Sequence, residues 1–192
     1  MIRTNHQTGS RRLMALNHAI MTALLEERMS GYELTKAFDT SLGFFWKASH
    51  QQIYKALRDL ETQGLLSSED IPQAGKPDKV IYALTDAGRA ALDQWVMGES
   101  QVRDAKDDLY VKLYNLSETS EPHIRAEFSE RARRTRERLA LYRKIRDRRF
   151  ARPEQLPLRE RGIYCALLAG IRHSEMFLSW LEECEAVVSG TN

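Results

Sequence analysis

Within the ten residues Ser49-His50-Gln51-Gln52-Ile53-Tyr54-Lys55-Ala56-Leu57-Arg58 the chain places an imidazole, two amides, a phenol, an ammonium and a guanidinium. If the segment is a helix with Ile53 at the middle of its buried side, Leu57 and Leu60 fall within about 40° of that line at about 100° per residue. Gln51, Tyr54, Lys55, Arg58 and Thr62 then point outward. These are the groups that pair with base edges or phosphates in a major groove. Ser49 and Gln52 have the spacing of a capping box, so the helix starts here, with Ser49, His50 and Gln51 at the end where a recognition helix meets bases. An ordinary solvated helix face would carry the same residue types, so this face does not decide the matter alone.

A second group of charges lies just downstream. Pro72-Gln-Ala-Gly-Lys-Pro-Asp78 is a turn by its Pro and Gly content, and it joins two strand-like runs, 65–71 and 79–84. Lys76 at the tip and Lys79 at its exit stand where a wing passes over the sugar-phosphate backbone. Lysine there acts as a point charge on phosphate, positioning without specifying sequence.

The elements that would hold these residues follow from periodicity. Leu13, Leu16, Ile20 and Leu24 predict a first helix over about 13–27, and Ser30 with Glu33 repeats the capping-box spacing at the head of a second. That second helix should end near Leu42-Gly43, with Phe44-Phe45-Trp46 plugging the core beneath the connection. Ile53, Leu57 and Leu60 stripe the third helix, which Gly64 stops, and Thr85 caps a fourth from Asp86 to about Val96 with Ala87, Ala91, Leu92 and Trp95 as apolar positions. Helix, helix, helix, hairpin is the order of a winged helix. Beyond Gly98 come long helices with few breakers, at 104–116, from Glu121-Pro122 to about Phe150, and about 158–188. Phe128, Ala132, Thr135, Leu139 and Tyr142 follow a four-three rhythm, as do Tyr164, Leu167, Ile171, Ser174, Leu178 and Leu181. Two such seams predict burial against a partner.

The expected organisation is a flexible arm over 1–12, a winged helix-turn-helix over 13–97 and an α-helical dimerisation domain over 98–192, a mainly α fold with a small β-hairpin and a coiled-coil-like C-terminal half. Hydrophobic residues at 42% and charged residues at 29% over 192 residues are the balance of an ordered chain. With no apolar run of about 18 residues and no signal-peptide core at the N-terminus, a cytoplasmic protein without a membrane partner is expected. A net charge of +2 does not announce a nucleic-acid binder. From Leu13 to Val96 there are eight Lys/Arg against eleven Asp/Glu, so any DNA contact must come from a local patch. From Ile124 to Arg152 there are twelve against four, either a second nucleic-acid or acidic-partner surface or a solvated helix face.

Other chemistries are poorly served. His6, His18, His50, His123 and His173 include no pair with metal-site spacing, and Cys165 and Cys184 read as reduced, buried thiols of one helix. No Gly-rich phosphate loop and no nucleophile context is present, so no catalytic residue, metal or cofactor is expected.

Gly31-Tyr-Glu-Leu34, Phe45-Trp-Lys-Ala-Ser-His-Gln-Gln-Ile-Tyr54, Leu57-x-x-Leu60-x-x-x-Gly64-Leu65, Gly75-Lys-Pro-Asp78 and Tyr82-x-Leu-Thr-x-x-Gly88 occur in this order. Over roughly 13–96 the sequence resembles the PadR family of transcriptional regulators, and Gly43-Phe-Phe-Trp-Lys-Ala-Ser-His-Gln-Gln52 is similar to its AphA-type virulence activators. The resemblance implies that Tyr54, Lys55 and the preceding polar residues face double-stranded DNA and that Lys76 and Lys79 touch its backbone. It also implies a homodimer on a pseudo-palindromic site, its seam formed by Phe128, Leu139, Tyr142, Tyr164, Leu167, Ile171, Leu178 and Leu181. Family members include repressors released by small aromatic compounds. Trp46, Trp95, Tyr110, Tyr114 and Trp180 are therefore candidates for an effector pocket, against the alternative that they are core.

Overall fold

Local signals start and stop most of the elements. In the computed structural model, residues 16–40, 48–72, 79–100 and 107–190 are described, and they form two units, Met1–Gln101 and Val102–Asn192. The expectations placed on 1–15, on Phe44-Phe45-Trp46 and on Lys76 lie outside the described residues.

In the first unit, helix α1 (16–23) leads into strand β1 (Met29–Ser30) and helix α2 (Gly31–Thr40). Helix α3 (His50–Thr62), strands β2 (Leu66–Ile71) and β3 (Lys79–Leu84) and helix α4 (Asp86–Met97) follow. The Ser30 backbone N–H donates to Glu33 Oε2 at 2.8 Å and the Glu33 N–H to Ser30 Oγ at 3.3 Å, so the box read from sequence caps α2. Gly64 takes φ +71°, the left-handed turn that ends α3 and that a residue without Cβ adopts at least cost.

The sheet has three strands in the order β1-β3-β2, all antiparallel, where the sequence predicts a two-stranded hairpin. Two residues are too few to carry a period-2 signal, and β1 exists because β3 offers it an unpaired edge. Thr85 ties the sheet to α3: its hydroxyl donates to Gly64 O at 2.8 Å and accepts from the Gly88 N–H at 3.0 Å. A Cβ at Gly88 would stand 2.1 Å from Leu65 O, so α4 can start here only on glycine. Leu16, Ile20, Leu24, Leu34, Phe38, Ile53, Leu57, Leu60, Leu66 and Leu92 bury together beneath these elements. Trp95, expected among the apolar positions of α4, is instead 49% exposed and stacked on His18 with centroids 4.3 Å apart. Ala87 is exposed as well.

The second unit is a helical hairpin with a short helix against it: α5 (Asp108–Tyr114), α6 (Glu121–Arg149) and α7 (Leu158–Ser189). Arg125 pairs with Glu185, Arg143 with Glu175 and Arg149 with Glu160, a falling series that makes α6 and α7 antiparallel. No helix among the described residues is long and apolar enough to cross a membrane.

Candidate nucleic-acid interface

The polar face picked out by residue type is built on a helix with a fully formed start. Ser49 in extended backbone accepts the Gln52 N–H at 3.3 Å, and its own N–H donates to Gln52 Oε1 at 2.8 Å. Ile53, Ala56, Leu57 and Leu60 anchor the inner side of α3 in the core. Their burial leaves Ser49, His50, Gln51, Lys55 and Arg58 exposed on the other side, with Tyr54 39% exposed. Tyr54 packs on the backbone of Gly31 at the head of α2. Among the described residues no carboxylate pairs with Lys55 or Arg58. Two cations and an amide therefore face solvent from one rigid surface, suited to hydrogen bonds with base edges or phosphates.

The β2–β3 hairpin is fastened to α3 and to the segment before β1 by acidic side chains. Glu61 at the end of α3 accepts from Ser68 of β2, and Arg28 bridges to Glu69. Burial pushes the Tyr82 hydroxyl up from its ordinary value, with Glu61 acting in the same direction and Arg58 against it. Lys79 reaches Glu33 Oε1 at 2.9 Å, so this wing lysine already has an anion for a partner.

The eight residues expected to form a seam with a second chain lie on the inner faces of α6 and α7. Phe128, Leu139, Tyr142, Leu167, Ile171 and Leu181 are buried, and Tyr164 and Leu178 half-buried, between α6 and α7 of the same chain. The ring of Tyr142 lies on Gly170, where a Cβ would stand 2.9 Å from its Cε2. A four-three rhythm says that a face is covered; it does not say which helix covers it. Sequence reading missed a second stripe on α7. With Met176 as reference, Leu158, Cys165, Ala169 and Val187 lie within about 40° of it at about 100° per residue. All five are exposed, and Cys165 is thus not the buried thiol expected. The signal was present as apolar or small residues at seven, four, seven and eleven, masked by the stronger inner seam.

The basic run is largely neutralised at home. Arg131 forks onto Asp107 at 2.5 and 2.9 Å and also reaches Glu127, Arg133 and Arg134 bind Glu130, and Arg143 binds Glu175. The Arg133 and Arg134 donors hold the Glu130 carboxyl at about 2. This matches a helix face with its own counterions better than a free cationic surface.

Of the five candidate effector aromatics, Trp95 stacks on His18 in the first unit. Trp46 is outside the described residues, Tyr114 is almost fully exposed, and Tyr110 meets Trp180 edge-on at 5.5 Å. Cavities of about 380 and 340 Å³ instead run along the α6–α7 groove, sharing Arg136 and Glu182, and none of the five lines either.

Residues 20–94 match the family described as the transcriptional regulator PadR-like family, and residues 105–189 match the virulence activator alpha C-terminal family. A probable transcriptional regulator of Mycobacterium tuberculosis is 37% identical over 181 residues, 88% of this chain and 95% of the relative. Among solved structures, Bacillus subtilis PadR in complex with operator DNA is 28% identical with a TM-score of 0.74, over 91% of this chain and 99% of that one. The same protein in complex with p-coumaric acid gives 26% and 0.68, over 92% and 97%. The Vibrio cholerae virulence activator AphA gives 30% and 0.72, over 92% and 99%.

Proposed function

The chain belongs to the PadR family of transcriptional regulators, and we propose that it acts as a homodimer on a pseudo-palindromic operator, reading double-stranded DNA with α3. The observation that carries this reading is the outward face of α3, where Gln51, Tyr54, Lys55 and Arg58 stand together on a capped helix whose other side is core. Ser49 and His50 sit in its first turn, the part that enters a groove first. That a relative was solved on operator DNA supports assigning residues 13–97 to DNA binding; the sequence assigns Lys76 to the backbone.

Residues 98–192 then serve dimerisation. Because α6 and α7 cover each other's inner seams, the second chain is assigned to the outer stripe of α7, Leu158, Cys165, Ala169, Met176 and Val187. Arg172 and Glu183 share this outer sector of α7, and the apolar side chains among them gain by being covered. Two reading helices about one DNA turn apart fit a site with two-fold symmetry. Selection from random duplexes tests the proposal: an enriched inverted repeat is expected, and recovery of no preferred sequence would overturn it.

A second reading is favoured by one observation, the Bacillus subtilis relative in complex with p-coumaric acid. In that reading a small aromatic effector releases the DNA. Thermal unfolding with increasing phenolic acid tests it, since a bound ligand raises stability with concentration.

A further inference from the structure

The ammonium of Lys79 donates to Glu33 Oε1 at 2.9 Å. The other oxygen of that carboxylate, Oε2, accepts from the backbone N–H and from the hydroxyl of Ser30, each at 2.8 Å. One side chain thus joins the capping box of α2 to strand β1, which contains Ser30, and to the first residue of β3. Lys79 faces Ile71 in the last pair of the β2–β3 ladder, the pair nearest the turn. This is the end of a wing that would approach phosphate. Hydrogen bonds from Ser30 and Lys79 hold the Glu33 carboxyl at about 2, so it is an anion wherever DNA binding is measured.

We propose that Glu33 is a positioning residue for DNA binding: it neutralises Lys79 and fastens the wing to the head of α2, so that Lys79 makes no phosphate contact in the complex. The inference rests on the DNA-binding reading above and revises the backbone role that sequence assigns to Lys79. A phosphate competing for Lys79 would exchange one anion for another. It would also leave Glu33, fixed in place by Ser30, facing the DNA with an uncompensated charge. A lysine without a partner has neither penalty and releases a counterion when it binds. Lys79 then sets where the wing sits and adds no phosphate contact of its own.

The test uses the full chain and a duplex of arbitrary sequence, with affinity measured as a function of salt. Lys79→Ala is expected to leave the slope of log K against log salt unchanged. Glu33→Gln keeps an oxygen to accept from Ser30 but removes the charge. It frees Lys79 and should steepen the slope by about 0.9, the increment of one phosphate contact. Glu33→Gln with Lys79→Ala should return it to the native value. A slope flattened by about 0.9 in Lys79→Ala, or unchanged in Glu33→Gln, overturns the inference. If Glu33→Gln folds poorly, Lys79→Ala decides alone, because Lys79 caps nothing. A native chain without salt-dependent binding removes the DNA-binding reading and this inference together. Native salt dependence that Lys79→Ala flattens removes this inference only.

Discussion

Tyr54 lies across Gly31 so closely that a β-carbon at position 31 would stand 2.4 Å from its Cε1. Gly31 is the first residue of α2, where the cost of glycine in a helix interior does not apply, so helix propensity gives Gly31→Ala little benefit. The contact works against it, because the ring would have to leave the face it shares with Lys55 and Arg58. Gly31→Ala should therefore weaken operator binding about tenfold, or about 1.4 kcal/mol, and leave binding to arbitrary duplex nearly unchanged. Competition binding with the two DNAs measures both. Equal losses on both would mean that the substitution damages the fold and not the reading face.

Lys55→Ala with Arg58→Ala removes two cations that pair with no carboxylate among the described residues. At about 1 kcal/mol as the lower bound for each base contact, operator affinity should fall at least about thirtyfold. Sedimentation should give the native oligomeric state. Unchanged operator affinity at matched salt would remove α3 from the reading role.

What sequence makes legible here is what neighbours along the chain decide. In the boxes Ser49–Gln52 and Ser30–Glu33 the partners are three residues apart, and both form as expected. Helices α6 and α7 start and end within a residue or two of their expected limits, Pro122 opening one and Gly190 closing the other, whereas the helix expected over 104–116 is the shorter Asp108–Tyr114. What sequence does not reveal is set by distant partners. Lys79 reads as a free cation because Glu33 is 46 residues away. β1 is invisible until β3 lies beside it. The rhythm of Leu139 and Ile171 records coverage faithfully, yet it is the same whether the covering helix belongs to this chain or to another. Trp95 has apolar spacing and still stays half exposed, stacked on His18.

Acid should loosen the second unit. Hydrogen bonds from Arg131 hold the Asp107 carboxyl below its ordinary 3.8, and those from Lys112 and Arg131 hold Glu127 below 4.5. For a carboxylate depressed in the folded state, the stabilisation is complete above the ordinary value and lost as pH falls through the folded one. Thermal midpoints should be flat above about pH 5 and decline below it. Asp107→Asn should lower the midpoint at neutral pH and make the acid decline shallower. An identical decline in the variant would mean that other carboxylates carry it.

Leu139 and Met176 separate the two surfaces of the helical hairpin. Leu139 is buried between α6 and α7, so Leu139→Ala should destabilise the chain by about 2–5 kcal/mol in denaturant unfolding. Met176 is 56% exposed on the outer stripe, and a charge there costs a single chain almost nothing. In a dimer formed through that stripe, Met176→Glu buries an unpaired carboxylate. The variant should then sediment as a folded monomer and lose operator affinity, because one chain presents one reading helix to a two-fold site. A dimer that survives Met176→Glu, yet dissociates in Leu139→Ala where that variant is still folded, would return the interface to the inner seam. In that case α6 and α7 would have to exchange partners between chains.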